Sequence, residues 1–247
     1  VGFLSFVFTY LVIRDVLWLP AAAFSKIKAR ISKPNEKKGL SNPVENPSRR
    51  GFLMNSMNYG ILATAALSTG YGIAEAKQTP GVKEVRVPIT DLPENFEGFR
   101  IVQLTDVHIS PTFRRSPVEN IVAVVNTLNA DIVALTGDLV DGTVDQLADD
   151  VAPLGKIKSA IGNYFVTGNH EYFSGVKAAV SYLEESNITV LQDTAVKVAD
   201  SFYLTGRKDL MAQRMGGGRK SLEDILTGVD KNFPLILMDH QPFFYPT

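Results

Sequence analysis

All three histidines of this chain lie in short motifs with carboxylates or amides: Thr105-Asp106-Val107-His108, Gly168-Asn169-His170-Glu171 and Met238-Asp239-His240-Gln241-Pro242. Gly137-Asp138-Leu139-Val140-Asp141 stands between the first two. Carboxylate, imidazole and amide donors without a thiolate suit Mn, Fe or Zn better than Cu(I) or an iron–sulfur cluster. Two such ions roughly 3.5–4 Å apart can activate a bridging water and clamp both oxygens of an in-line phosphoryl displacement. A site of that kind needs one carboxylate shared by both ions, and Asp138 is the natural bridge. In D-x-H the two side chains are two positions apart, which on an extended strand end turns both to one side and lets Asp106 and His108 chelate one ion. Asn169 offers an amide oxygen to the other ion, with His240 beside it. The order of the motifs implies a two-metal hydrolase.

The elements that must position these motifs can be read from apolar runs and punctuation. Val85-Arg86-Val87 predicts an edge strand, with Pro93 and Gly98 marking a turn, and 100–105 a strand running into the first motif. Helical spacing covers 118–128, 132–136 is a buried strand, and 144–157 is a helix broken near Pro153. Strands are predicted at 164–167, 189–191, 195–198, 202–204 and 234–238, and helices at 176–185 and 221–226. Strand-then-helix repetition with motifs at strand ends predicts an α/β domain whose site lies along one sheet edge.

The motifs together resemble the calcineurin-like metallophosphoesterases, and the run 87–242, with Phe165-Val166-Thr167-Gly168-Asn169-His170-Glu171-Tyr172-Phe173 and Ile236-Leu237-Met238-Asp239-His240-Gln241-Pro242, is similar to their membrane-anchored bacterial branch. The resemblance implies an α/β sandwich over 98–247 and two divalent ions (Mn, Fe or Zn). It places Asp106, His108 and Asp138 on one ion and Asp138, Asn169 and His240 on the other. It also implies that His170 faces the leaving-group oxygen and that Asp141 orients it, so that the imidazole stabilises or protonates a departing alkoxide. The family closes its site with a G-H-x-H motif downstream of the lone histidine. The expectation is that this motif follows within a few tens of residues after Thr247, and that an initiator lies upstream of Val1 or Val1 is a non-standard start, the first methionine being Met54.

Ahead of this domain, residues 1–24 carry only Arg14 and Asp15 as charges and are long enough to span a bilayer. Residues 51–74 are charge-free but diluted by Asn55, Asn58, Thr64, Ser68 and Thr69, and form a second predicted transmembrane helix or signal anchor. Between them, 25–50 holds Lys26, Lys28, Arg30, Lys33, Lys37, Lys38, Arg49 and Arg50 against Glu36 and Glu45. The excess of basic residues predicts a cytoplasmic loop, which puts the linker 75–97 and the catalytic domain on the outer face of the cell membrane. Ser48-Arg49-Arg50-Gly51-Phe52-Leu53 also resembles a twin-arginine export signal, and Ala74-Glu75-Ala76 a signal-peptidase site; either reading gives the same side.

With 25 basic and 26 acidic residues the chain is near neutral, which argues against a general nucleic-acid binder. It has no cysteine, hence no disulfide framework. The expected partners are a phosphate-ester substrate, lipid-linked in keeping with membrane attachment, and the membrane itself. Two other readings stay open: a metal- or lipid-binding domain on the same scaffold without turnover, and a nuclease of the same fold. Glu171 reads as a hydrogen-bonding residue behind the ligands. Arg207 and Asp209 read either as facing the substrate or as a surface ion pair, 214–220 as a phosphate-contacting flap or, better, a solvated loop, and Asp239 as structural.

Overall fold

The computed structural model describes residues 2–31, 47–76, 78, 80–89 and 92–241. It contains two compact units, a helical pair and an α/β unit. In the helical pair, α1 spans Gly2–Ile31 and α2 spans Pro47–Ala76. The two bond to each other through polar groups: the guanidinium of Arg14, paired within α1 with Asp15 at 2.7 Å, donates to Asn58 Oδ1 at 2.5 Å, and the Tyr10 and Ser68 hydroxyls meet at 3.3 Å. Among the described residues, one helical segment, Gly2–Pro20, is long and apolar enough to cross a membrane. The second predicted span does form a helix but fails that apolarity test, because its asparagines and hydroxyls are spread along its length. The predicted basic loop 25–50 is narrower than expected, because 25–31 continues α1 and 47–50 opens α2; 32–46 lies outside the described residues.

The α/β unit begins without the predicted edge strand: 80–89 is irregular, with Val85 and Val87 exposed, and no partner strand satisfies its backbone among the described residues. A four-stranded parallel sheet follows, in the order β1 (Ile101–Leu104), β2 (Ile132–Thr136), β3 (Gly162–Val166), β4 (Thr189–Val190). Crossovers carry α3 (Arg115–Thr127), α4 (Val144–Val151), α5 (Asn169–Ser174) and α6 (Val176–Glu185). A second sheet contains β5 (Thr194–Val198), β6 (Phe202–Gly206) and β7 (Leu235–Met238), with β5 antiparallel and β7 parallel to β6. Short helices α7 (Leu210–Arg214) and α8 (Leu222–Ile225) lie between β6 and β7.

Period-two alternation explains the layers. Every residue of β2 is buried. Val133 and Leu135 point to the side where α3 presents Val118, Ile121, Val122 and Val125 at helical spacing and α6 adds Ala179 and Leu183. Ile132 and Ala134 point to the other side, where Val198, Phe202, Leu204 and Met238 of the second sheet form a separate core with Phe96. The result is a helix layer on one face of the parallel sheet and a second sheet on the other. Pro153 stops α4 by removing a donor, and the chain continues as a 3-10 turn over Ala152–Lys156. The loops after β1, β2, β3 and β7 all leave from the carboxyl ends of their strands, where open α/β sheets form sites.

Candidate metal centre

β1 ends at Leu104, so Asp106 and His108 lie beyond the strand. Their common orientation does not come from a strand pleat. Both have left-handed backbone, φ 53° and 50°, and Asp138 joins them at 52°. Non-glycine residues at such angles need surrounding structure to hold them. The holding bonds run between the two loops: the amides of Asp106, His108 and Ile109 donate to the carbonyls of Gly137, Asp138 and Leu139 at 2.8–3.1 Å. Parallel pairing of β1 with β2 therefore continues past both strand ends, with the side chains turned into one space.

Glu171 fixes the second loop. Its buried carboxylate accepts the backbone N–H groups of Asp138 (3.0 Å), Leu139 (2.7 Å), Val140 (3.3 Å) and Gly168 (2.7 Å). Burial pushes its pKa up, against the opposing pull of these donors. Two glycines allow the loops to meet. Gly137 has φ +89°, and a Cβ there would lie 2.6 Å from Gly168 N and 2.8 Å from His240 Nδ1; a Cβ on Gly168 would collide with the Asp138 carboxylate and amide.

Asp138 is only 4% exposed. Its Oδ1 accepts the amide of His170 at 2.9 Å. Oδ2 faces three imidazoles, with Nε2 of His240 at 3.3 Å, of His170 at 3.8 Å and of His108 at 3.9 Å. His240 Nδ1 lies 2.8 Å from the Thr136 carbonyl oxygen. A carbonyl only accepts, so Nδ1 carries the proton and Nε2 presents a lone pair toward Asp138. Asp141 performs the same service twice: its Oδ1 lies 3.0 Å from His108 Nδ1 and 2.5 Å from His170 Nδ1. An ionised carboxylate accepts from both rings and leaves both Nε2 atoms turned inward, the way carboxylates orient metal-binding histidines. Burial lowers the His108 pKa, but the hydrogen bond and charge of Asp141, with the charges of Asp138 and Asp106, carry it above 6.5.

Two donor groups result, each with its ligand atoms within 4.8 Å of one another: His108, Asp138 and His170, and Asp106, Asp138 and His240. Asp106 Oδ1 also lies 3.8 Å from His108 Nε2. Inward-facing nitrogens and carboxylate oxygens of this kind fit divalent metal, and Asp138 belongs to both groups. Asn169 opens α5 beside His170, and its Oδ1 accepts from Gln241 Nε2 at 3.0 Å. The structure thus brings together Asp106, His108, Asp138, Asp141, His170 and His240, with Asn169 at their edge. Sequence reasoning missed Gln241 and the Thr136 carbonyl; a backbone carbonyl leaves no trace in residue type, and glutamine after a histidine carries little signal.

The basic residues downstream differ from expectation. Arg207 and Asp209 are not a surface pair. Asp209 is 1% exposed and caps α7 by accepting the Met211 amide at 2.8 Å, whereas the Arg207 guanidinium lies 3.9 Å from Asp239 Oδ2. The loop 214–218 is exposed, as expected, but the Arg219 side chain that follows it is buried against the same carboxylate at 2.5 Å.

The calcineurin-like phosphoesterase family model matches residues 99–246. The chain belongs to that family. It is 38% identical over 191 residues to a zebrafish (Danio rerio) protein named transmembrane protein with metallophosphoesterase domain, and 36% identical over 194 residues to the bovine protein of that name. Each alignment takes in 74% of this chain and 44% of the relative. A Helicobacter pylori protein named uncharacterized metallophosphoesterase is 30% identical over 195 residues, covering 79% of the chain and 52% of the relative. The chain thus spans about half the length of these relatives, which come from animals and bacteria alike.

Proposed function

We propose that the chain hydrolyses a phosphomonoester or phosphodiester with water activated between two divalent ions (Mn, Fe or Zn). Asp106, His108 and Asp138 hold one ion; Asp138, Asn169 and His240 hold the other. The observation that carries this reading is the buried carboxylate of Asp138, which belongs to both groups of close donors although those groups pair His108 with His170 and Asp106 with His240. Bound there, the ions would supply a nucleophile at neutral pH and neutralise charge on the phosphoryl oxygens.

The protein's own groups divide the remaining work. Asp138 keeps Oδ1 on the His170 amide and turns Oδ2 toward the imidazoles of His240, His170 and His108, where it would hold metal. Asp141 holds the His108 ring for ligation and the His170 ring with Nε2 turned inward. His170, hydrogen-bonded through Nδ1, acts at the leaving-group oxygen as a donor, the role that a positioned imidazole fills in acid–base catalysis.

The same reading places the enzyme at a membrane. The Gly2–Pro20 segment and the names of the animal relatives support attachment. The excess of basic residues over 25–50 supports an extracytoplasmic catalytic unit, and attachment favours a lipid-linked phosphate ester as substrate. The test is hydrolysis of an activated phosphate ester by the intact protein. Activity should require Mn or a similar ion, vanish with chelator, and disappear with metal binding in Asp138→Ala; an Asp138→Ala variant with full activity would overturn the reading.

A further inference from the structure

A buried ion pair brackets His240. Arg219 and Asp239 side chains are 6% and 3% exposed, and their charged atoms meet at 2.5 Å. The Arg219 Nε also donates to the Lys208 carbonyl at 2.6 Å, and Arg207 approaches the same Asp239 oxygen at 3.9 Å. Burying such charges costs several kcal/mol per ion before their attraction returns it, so the arrangement is a poor source of stability. What it does fix is the chain on either side of His240. Asp239 Oδ1 accepts the Gln241 amide at 3.2 Å, and Gln241 Nε2 donates to Asn169 Oδ1 at 3.0 Å.

The last bond has a chemical consequence. Gln241 Nε2 can only donate, so it selects the oxygen end of the Asn169 amide, and that oxygen retains a second lone pair. Without the donor, the amide can turn and present its NH2, which ligates no metal. Resting on the two-ion reading above, we propose that Gln241, held by Asp239 and Arg219, is a positioning residue for the ion bound by Asn169 and His240, so that the segment 207–220 governs occupancy of one of the two metal positions.

Full-length protein in detergent, titrated with Mn and followed by electron paramagnetic resonance, tests this. The wild type should take up two ions and show an exchange-coupled spectrum. Gln241→Met, similar in size but without a donor, should keep the thermal midpoint and the first ion while the second binds about 10- to 100-fold more weakly, the usual effect of losing a ligand's hydrogen-bonding partner. Its spectrum should then be the six-line pattern of a single ion. Arg219→Met should weaken the same ion, and Arg219→Lys should restore part of the loss. Two ions bound by Gln241→Met with wild-type affinities would overturn the inference and leave the two-ion reading standing. Fewer than two in the wild type would overturn both. If Arg219→Met does not fold, Gln241→Met decides alone, because its half-buried side chain lies outside the buried pair.

Discussion

The Glu171 carboxylate accepts the Asp138 amide at 3.0 Å from 33 residues away. That bond ties the first turn of α5 to the loop after β2, and each oxygen of Glu171 takes two backbone donors. Glu171→Gln keeps the shape but turns an NH2 group toward two of those N–H groups. Leaving buried donors unmet costs about 1–3 kcal/mol each. Denaturant unfolding of the α/β unit should show a loss of about 2–6 kcal/mol for the two donors. Mn affinity should fall about 10- to 100-fold as the Asp138 loop loosens. Wild-type metal affinity in this variant would mean the loop is held by other contacts.

Gly137→Ala and Gly168→Ala should each abolish metal binding, because the added methyl meets backbone or the Asp138 carboxylate. Gly216→Ala supplies the contrast: φ is +76° but nothing lies within 4 Å of the added carbon. It should cost about 1–2 kcal/mol of left-handed strain and leave metal titration unchanged. Calorimetry in parallel with Mn titration separates the two effects.

These glycines show what the sequence could and could not convey. β1, β2, β3 and β7 were legible because each is an apolar run ending in a polar motif, and those motifs contain the side chains that the structure brings together. The left-handed backbone at Asp106, His108 and Asp138 was not legible, because it is imposed by loop-to-loop bonds between residues about 30 positions apart. α5 escaped notice because six residues show no period. Val85 and Val87 had strand composition, but no neighbouring strand pairs with them among the described residues. The pairing of Arg207 and Arg219 with Asp239 ran against the rule that charges lie outside.

Acid should weaken metal binding earlier than an ordinary histidine would. Ligation needs the neutral ring, and Asp141, with the other carboxylates, holds the His108 pKa above 6.5 despite burial. Proton competition therefore sets in as pH falls through that raised value. In the metal-free protein the sign reverses: the protonated ring stabilises the fold below 6.5, and that contribution is lost as pH rises through the folded value. Asp141→Asn should move the midpoint of Mn release to lower pH. A midpoint that stays in place or rises would remove Asp141 as the cause.

Topology can be read by proteolysis of intact cells. Eight basic residues lie in 25–50, at the facing ends of the two helices and between them, against two acidic ones. Under the proposed orientation, a protease added outside should cut in the exposed stretch 80–89, and the segment 32–46 should be cut only after lysis. The opposite pattern would put the catalytic unit in the cytoplasm and remove the argument for an outer-leaflet substrate.

His170 is where geometry and the proposed role pull apart most. Its Nε2 lies 3.8 Å from Asp138 Oδ2, nearly the distance of His108, and both rings hang from Asp141. A ligand and a leaving-group residue in these positions have different signatures. His108→Ala should lose one Mn ion. His170→Ala should retain both while turnover falls about 10²- to 10⁴-fold, the worth of a positioned acid–base group. That loss should shrink for a substrate whose leaving group is already a stable anion, since such a group needs no proton. An ion missing from His170→Ala would move this histidine into the ligand set and leave the leaving group to another residue.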